Sequence, residues 1–201
     1  MDSCSCCSFK PNVNYKSPIS LSSKNDNILI SLDFKCLEYI SNENSINYEF
    51  DIQNLRWLVK NNVLISKNDN IYKLIEIHSH VEGEHEINGV KSDCEYHYVF
   101  KSVGEEAYYV VAALFKIHNM VTSDLTYNLA RNLPTPIPYV CSGYYLYDGG
   151  LTGPGSETPV SWLVISEIMD ISTYDYEILK SKSRTSMKLQ NRHGRIICYK
   201  R

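Results

Sequence analysis

The chain has 201 residues, of which 43% are hydrophobic and 21% charged, and its formal net charge is −3. This length suits a single domain with a sizeable core, and the composition is ordinary for a soluble globular protein. No run of about eighteen apolar residues is present, so no transmembrane helix is predicted. Sixteen tyrosines against nine glycines favour β structure.

Residues 1–14 are predicted to form a flexible tail, and residues 15–201 a single domain. The tail carries three cysteines but lacks the basic and apolar regions of a secretory signal, so a cytoplasmic protein is expected. In a reducing compartment the cysteines would stay thiols. Two alternatives for Cys4, Cys6 and Cys7 remain, namely lipidation with membrane attachment and the binding of a soft metal.

Strand-like segments recur along the rest of the chain, separated by short connections, and they predict a mainly β (α+β) domain built on one large, mostly antiparallel sheet. Helices are predicted only at Ser123–Asn132 and Ser172–Lys182, and a Gly/Pro-rich loop at Asp148–Pro159. The predicted strands are Ile28–Phe34, Arg56–Val59, Tyr72–His80, Cys94–Ser102, Tyr108–Ile117, Tyr144–Tyr147 and Ser161–Glu167.

The charge is unevenly distributed. From Ile178 to the end there are eight Lys and Arg residues and no Asp or Glu. Such a segment either lies against an acidic body or docks on a partner or a polyanion. The first interpretation is favoured, and no nucleic acid is expected as a partner.

Three histidines form the most informative pattern. His78 and His80 are two residues apart, so on a strand their side chains point to the same face. His97 follows seventeen residues after His80, and a turn at Asn88–Gly89 allows its strand to return beside the first. Three imidazoles on one face provide the ligands of a catalytic zinc site with an open fourth position.

Two carboxylates strengthen this prediction. Glu76 precedes His78 by two residues, and Glu95 precedes His97 by two, so each lies on the same strand face as a histidine. A carboxylate beside a metal-bound imidazole fixes its tautomer. Charged surface residues without a metal are the alternative explanation, but buried carboxylates are costly without partners.

These motifs resemble the zinc-binding core of the α-class carbonic anhydrases, in which an HxH, an EH and a later ExH follow in this order. The short gap from His80 to Glu84 is most similar to the bacterial branch. Downstream, YLYDGGLTGPGSETPVSWLVI (145–165) resembles the segment of the family around its Leu-Thr-Thr-Pro motif. Weaker similarities lie at Lys16–Ser20 and Gln190–Arg195.

The resemblance implies a twisted sheet with a few short peripheral helices, a Zn²⁺ cofactor, and hydration of carbon dioxide to bicarbonate by a zinc-bound hydroxide. It assigns the metal to His78, His80 and His97. It gives Thr152 and Glu84 the catalytic hydrogen-bond relay, and it makes His85 a buried histidine near the metal. It further implies an apolar substrate pocket formed by Val99, Val110, Leu151, Val160 and Trp162.

Several positions depart from the family. The usual proton-shuttle histidine precedes the HxH pair, whereas this chain has no histidine before His78. Glu76 replaces a glutamine, and its negative charge is expected to raise the pKa of the zinc-bound water. Two alternatives stay open: an inactive relative that docks a partner through the basic segment, and a zinc hydrolase acting on esters.

Overall fold

The structure, a computed structural model, describes residues 15–24, 28–30, 38–39, 46–67, 70–120, 143–153 and 158–200. These ranges hold short strands, seven-to-thirteen-residue strands and one α-helix. In chain order they are β1 Ser20–Leu21, β2 Ile28–Ile30, β3 Glu38–Tyr39, β4 Tyr48–Asp51, β5 Arg56–Val59, β6 Leu64–Lys67, β7 Asn70–Val81, β8 Glu86–Ile87, β9 Val90–Lys91, β10 Cys94–Ser102, β11 Tyr108–Ile117, β12 Tyr144–Gly150, β13 Pro159–Ile171, α1 Thr173–Lys180, β14 Arg184–Thr185 and β15 Ile197–Lys200.

One 12-stranded sheet dominates the fold, with the central order β2-β15-β12-β13-β11-β10-β7-β5-β4. Most neighbouring pairs are antiparallel, but β11 pairs with β13 in parallel, and so do β14 with β7 and β15 with β2. A separate three-stranded sheet joins β1, β8 and β9. The predicted class, a mainly β domain on a large, mostly antiparallel sheet, is confirmed.

Side chains along the central strands alternate between the two faces of the sheet, and each face has its own hydrophobic core. On β10, Tyr96 and Tyr98 enter a large aromatic core on one face. Val99 on the same strand and Val110 on β11 enter a second core on the other face, together with Trp162. Successive side chains of a strand point to opposite faces, so the histidine of β10 that lies between the two tyrosines is directed towards the second core. That face carries the candidate site.

The predicted strands Arg56–Val59, Cys94–Ser102 and Tyr108–Ile117 are confirmed with the bounds of β5, β10 and β11. The second predicted helix, Ser172–Lys182, corresponds to α1 Thr173–Lys180, and Ser172 is its N-cap, because the Ser172 side chain accepts a hydrogen bond from the Asp175 N–H.

The predicted loop Asp148–Pro159 is too long at both ends. Asp148, Gly149 and Gly150 continue β12, and Pro159 begins β13, because these residues still pair across the two strands. The Ser161 hydroxyl adds a hydrogen bond to the Asp148 carboxylate at 2.8 Å. Pairing with a neighbouring strand therefore overrides the turn preference of the glycines.

The helix predicted at Ser123–Asn132, the tail 1–14 and the end of the strand predicted at Ile28–Phe34 lie outside the described residues. Within the described ranges, no helix is long and apolar enough to cross a membrane.

Candidate metal centre

Three histidines converge on the second face of the sheet. The antiparallel register of β7 and β10 places His97 directly opposite His78, while His80 lies opposite Glu95. One ring nitrogen from each of the three histidines lies within 4.8 Å of those of the other two. All three side chains are buried, so the cluster forms a set of three nitrogen donors inside the protein.

Each imidazole has an acceptor beside one of its ring nitrogens. His97 Nε2 lies 2.7 Å from Glu95 Oε1, and His80 Nδ1 lies 3.1 Å from the Thr185 carbonyl oxygen. His78 Nδ1 lies 2.9 Å from Glu76 Oε1, although the angle is poor for a hydrogen bond. An acceptor on one nitrogen fixes the tautomer and leaves the other nitrogen as a lone-pair donor.

The environment keeps these rings uncharged. Burial lowers the pKa of His78 and of His97 to about 4 each, against the partial compensation of Glu76 and Glu95 respectively. The pKa of His80 is lowered to about 3, mainly by burial and to a smaller extent by repulsion from His97. Neutral imidazoles are the form that binds a metal ion, so the set is ready to coordinate near neutral pH.

A buried hydrogen-bond chain supports His97 from behind. Glu95 Oε1 lies 2.6 Å from His85 Nδ1, and His85 Nε2 lies 2.6 Å from the Tyr147 hydroxyl, which donates to Ser17 at 3.1 Å. Burial alone would raise the pKa of Glu95, but His85 and His97 hold it well below the usual value. Glu95 was expected from the strand pattern and His85 from the resemblance, whereas Tyr147 and Ser17 lie in segments that resemble the family but were given no role.

Glu84 is a buried carboxyl group beside the histidines. Its Oε1 accepts the Met187 N–H at 2.8 Å, while its Oε2 has no well-aligned partner among the described residues. Burial, and then repulsion from Glu95, raises the pKa of Glu84 to about 8, although a side-chain hydrogen bond with Thr152 opposes this. The structure thus brings Glu84 and Thr152 together at the histidine cluster.

A cavity of about 380 Å³ opens above the cluster. Four of the five residues expected to form an apolar wall line it, namely Val99, Val110, Leu151 and Trp162. The fifth, Val160, is fully buried in the core on the same face and is not among the lining residues. The remaining lining residues are Arg56, Ile75, Glu76, His78, His97, Tyr108, Thr152, Gly153 and Arg184.

No family model matches the chain. In sequence, the chain is 27% identical over 131 residues to alpha carbonic anhydrase 3 of Arabidopsis thaliana, which covers 58% of this chain and 47% of that protein. It is 29% identical over 187 residues to alpha carbonic anhydrase 8 of the same plant, which covers 82% of this chain and 46% of that protein. The chain therefore spans about half the length of the curated relatives it matches.

Solved structures agree with these sequence matches. Dioscorin in complex with ascorbate superposes with a TM-score of 0.75 at 22% identity, over 92% of this chain and 85% of dioscorin. The α-carbonic anhydrase of Photobacterium profundum gives 0.74 at 19% identity, over 92% of this chain and 88% of its own. The α-carbonic anhydrase of Thermovibrio ammonificans in complex with the inhibitor sulfanilamide superposes with a TM-score of 0.69 at 19% identity, over 92% of this chain and 86% of its own. The fold is that of the α-class carbonic anhydrases. The resemblance seen in the histidine motifs thus holds in sequence and in fold.

Two arginines that sequence analysis missed lie beside Glu76. Arg56 Nη1 lies 2.6 Å from Glu76 Oε2, and Arg184 Nη1 lies 3.6 Å from Glu76 Oε1. Burial raises the pKa of Glu76, but His78, Arg56 and Arg184 together lower it to about 2. The negative charge of Glu76 is therefore partly balanced by the two guanidinium groups, which opposes the rise expected in the pKa of a zinc-bound water.

The basic residues after Ile178 do not form one docking surface in the described part of the chain. Arg184 lines the cavity, and Arg195 is buried, with its guanidinium over the rings of Tyr15 and Tyr147. Lys180 lies 4.0 Å from Glu177 on the same helix. This dispersal does not favour the alternative of a protein that docks through its basic end.

The metal-free protein should lose stability as the pH falls from about 6.5 towards about 4. The three histidines have pKa values of about 4, 3 and 4 when folded against 6.5 when unfolded, so in this window only the unfolded chain takes up their protons. Each such proton lowers the free energy of unfolding by about 1.4 kcal/mol per pH unit.

Glu84 acts in the opposite direction. The pKa of Glu84 is about 8 in the folded protein and 4.5 in the unfolded chain, so only the folded protein takes up this proton between these values. The contribution of Glu84 to stability therefore grows as the pH falls from 8 to 4.5. Three histidines outweigh one carboxyl group, so the net trend below pH 6.5 is a loss. Urea unfolding of chelator-treated protein at several pH values measures it, and a midpoint that stays constant through this window would contradict the prediction.

Proposed function

We propose that the chain catalyses the reversible hydration of carbon dioxide to bicarbonate and a proton, with zinc held by His78, His80 and His97. The observation that carries this proposal is the cluster of three neutral, buried imidazoles, two of which, His78 and His97, line a partly apolar cavity. Glu84 and Thr152, whose side chains interact, adjoin the cluster, and the proposed reaction would use them as a hydrogen-bond relay.

The donor set fits zinc. His80 Nε2 is buried and has no hydrogen-bond partner among the described residues, although buried polar atoms are nearly always satisfied, so a cation would complete its surroundings. Three nitrogen ligands with one open position are typical of catalytic zinc sites. When bound, zinc supplies a Lewis acid that makes water a nucleophile near neutral pH.

The protein's own residues would orient the reactants. The Thr152 hydroxyl, hydrogen-bonded to Glu84, keeps an oxygen lone pair directed away from that carboxyl group, which can orient the attacking water. The Glu84 pKa of about 8 belongs to the metal-free protein, and a nearby cation favours the carboxylate that accepts this bond.

The apolar wall suits a small substrate without a net dipole. Val99, Val110 and Trp162 are nearly fully buried and face the cavity beside His97. They offer carbon dioxide contact without competing hydrogen bonds, and they exclude water from the polar groups around the histidines. Exclusion of water strengthens the electrostatic interactions in the site.

Stopped-flow hydration of carbon dioxide by zinc-loaded protein tests the proposal. We expect a rate that is lost on chelation, restored by zinc, and inhibited by sulfanilamide, the inhibitor bound to the Thermovibrio ammonificans relative. Zinc bound at one ion per chain with no catalysed hydration would contradict the proposed function.

The same assay should show a strong dependence on buffer concentration. Among the described residues that line the cavity, His78 and His97 are the histidines, and both are assigned to the metal, so neither can pass protons to solvent. A proton must then leave through external buffer, and the rate should rise with buffer concentration. A rate independent of buffer would indicate an internal proton path.

A further inference from the structure

Two arginines that line the cavity have more hydrogen-bond donors than the described protein uses. Each guanidinium carries five N–H groups and stays protonated. Arg56 donates from Nε to Asp51 Oδ2 at 3.2 Å and from Nη1 to Glu76 Oε2 at 2.6 Å. Arg184 donates from Nε to the Asn54 carbonyl oxygen at 3.0 Å, and its Nη1 reaches no closer than 3.6 Å to Glu76.

The backbone holds both arginines on one edge of β7. Arg56 lies opposite His78 in the pairing of β5 with β7, and Arg184 lies opposite His80 in the pairing of β14 with β7. Their side chains are partly buried, with 32% and 31% of the surface exposed. Hydrogen bonds to Asp51, Glu76 and the Asn54 carbonyl oxygen hold the guanidinium groups before a ligand binds, which reduces the entropy lost on binding.

The charge at this edge is nearly balanced. The two arginines face two carboxylates, Glu76 and Asp51, and both carboxylates bind mainly to Arg56. Arg184 is thus the less compensated of the two cations. The Nη donors of Arg184 and Arg56 that no described residue accepts can together bind a planar oxyanion through two hydrogen bonds.

We infer that Arg56 and Arg184 form an anion-binding pair in the cavity, and that its ligand is a planar, singly charged O–C–O group. Two sources fit this chemistry: bicarbonate, the product of the proposed reaction, and the carboxylate of a larger molecule. Only the first source rests on the proposed function, since binding of a carboxylate requires neither zinc nor hydration of carbon dioxide.

An NMR titration of acetate into chelator-treated, ¹⁵N-labelled protein tests the pair without any contribution from the metal. We expect the Nε–H signals of both arginines to shift, and Arg184→Gln to weaken the acetate affinity about tenfold or more, because a charged hydrogen bond is lost. The acetate affinity of Arg184→Lys should lie between those of the unchanged protein and Arg184→Gln, since lysine keeps the charge but lacks the paired N–H donors of a guanidinium group. Equal affinities for the protein and Arg184→Gln would overturn the inference, as would the absence of acetate binding.

A charge-matched control is available on β9. Lys91 is 43% exposed, pairs with Glu82 and does not line the cavity, so Lys91→Gln should leave the acetate affinity unchanged. If Lys91→Gln lost as much acetate affinity as Arg184→Gln, the change in net charge would explain both losses. The inference that Arg56 and Arg184 form a specific binding site would then be contradicted. The ¹H–¹⁵N spectrum of each variant establishes that it is folded.

Further arms of the titration distinguish the two sources. If bicarbonate is the ligand, it should bind at least as well as acetate, and benzoate should bind more weakly. If the carboxylate of a larger molecule is the ligand, benzoate should bind more tightly than acetate, because its ring can cover the apolar wall at Leu151 and Trp162. Both patterns require Arg184, and both are measured separately from the hydration of carbon dioxide by the zinc-loaded protein.

Discussion

Replacing His97 by alanine should abolish both zinc retention and hydration of carbon dioxide. His97 supplies one of the three nitrogen donors from its position opposite His78. No other described residue completes the three-histidine group in its place. Loss of a single hydrogen-bond partner behind a ligand already weakens metal binding about 10–100-fold. Loss of the ligand itself should weaken zinc binding by more than this factor, so the variant should contain almost no zinc after dialysis.

The variant also removes the partner of a buried carboxylate, so its folding must be measured separately. Glu95 would retain His85 and two backbone N–H groups, each at 2.8 Å, which should keep the fold intact. Metal analysis after dialysis, stopped-flow kinetics and thermal unfolding together report the result. His118→Ala is the matched control, since His118 is exposed just after β11 and takes no part in the cluster. His97→Ala protein that keeps one zinc and full activity would refute the ligand assignment.

The sequence predicts the histidine cluster because short-range rules suffice for most of it. The two-residue period of a strand places His78 and His80 on one face whatever the rest of the fold does. The turn at Asn88–Gly89 then makes an antiparallel return plausible, and Gly89 does adopt a positive φ of 80° there. Only the register that sets His97 opposite His78 needed the structure.

The arginines could not be predicted in the same way. Arg184 reaches the site because β14 returns parallel to β7 after about a hundred residues, and Arg56 reaches it from the strand on the same edge. Neither residue stands in a motif with the histidines, and each is as consistent with an exposed surface as with a cavity. Ser17 presents the same difficulty, since its contact with Tyr147 joins residues 130 positions apart.

The loop prediction was wrong at Asp148–Gly150 for a related reason. Glycine-rich sequence indicates a turn when it is considered alone. Here β13 lies alongside, with Val160 opposite Gly149, and the tight approach of the backbone makes glycine suitable for the strand. A Cβ atom at Gly149 would lie 2.1 Å from Ser17 Oγ, so the absence of a side chain permits the packing around Tyr147.

Replacing Thr152 by alanine should leave zinc bound and lower the hydration rate on the order of 100-fold, because a positioned polar group at the reacting atoms is lost. Thr152 lines the cavity but is not one of the three nitrogen donors, so the metal content should stay at one ion per chain. Its effect should therefore appear in kcat rather than in zinc stoichiometry. Metal analysis and stopped-flow kinetics on the same sample separate the two quantities.

Two further variants decide whether Thr152 acts through Glu84. Thr152→Ser keeps the hydroxyl group and should restore most of the rate, which a purely steric role for the threonine would not predict. If the hydroxyl is oriented by the carboxylate, Glu84→Gln should lower the rate too, and the double variant should be little worse than Thr152→Ala alone, since residues that act as one unit are not additive. Fully additive losses would mean that the two residues contribute independently, and the relay between them would have to be abandoned.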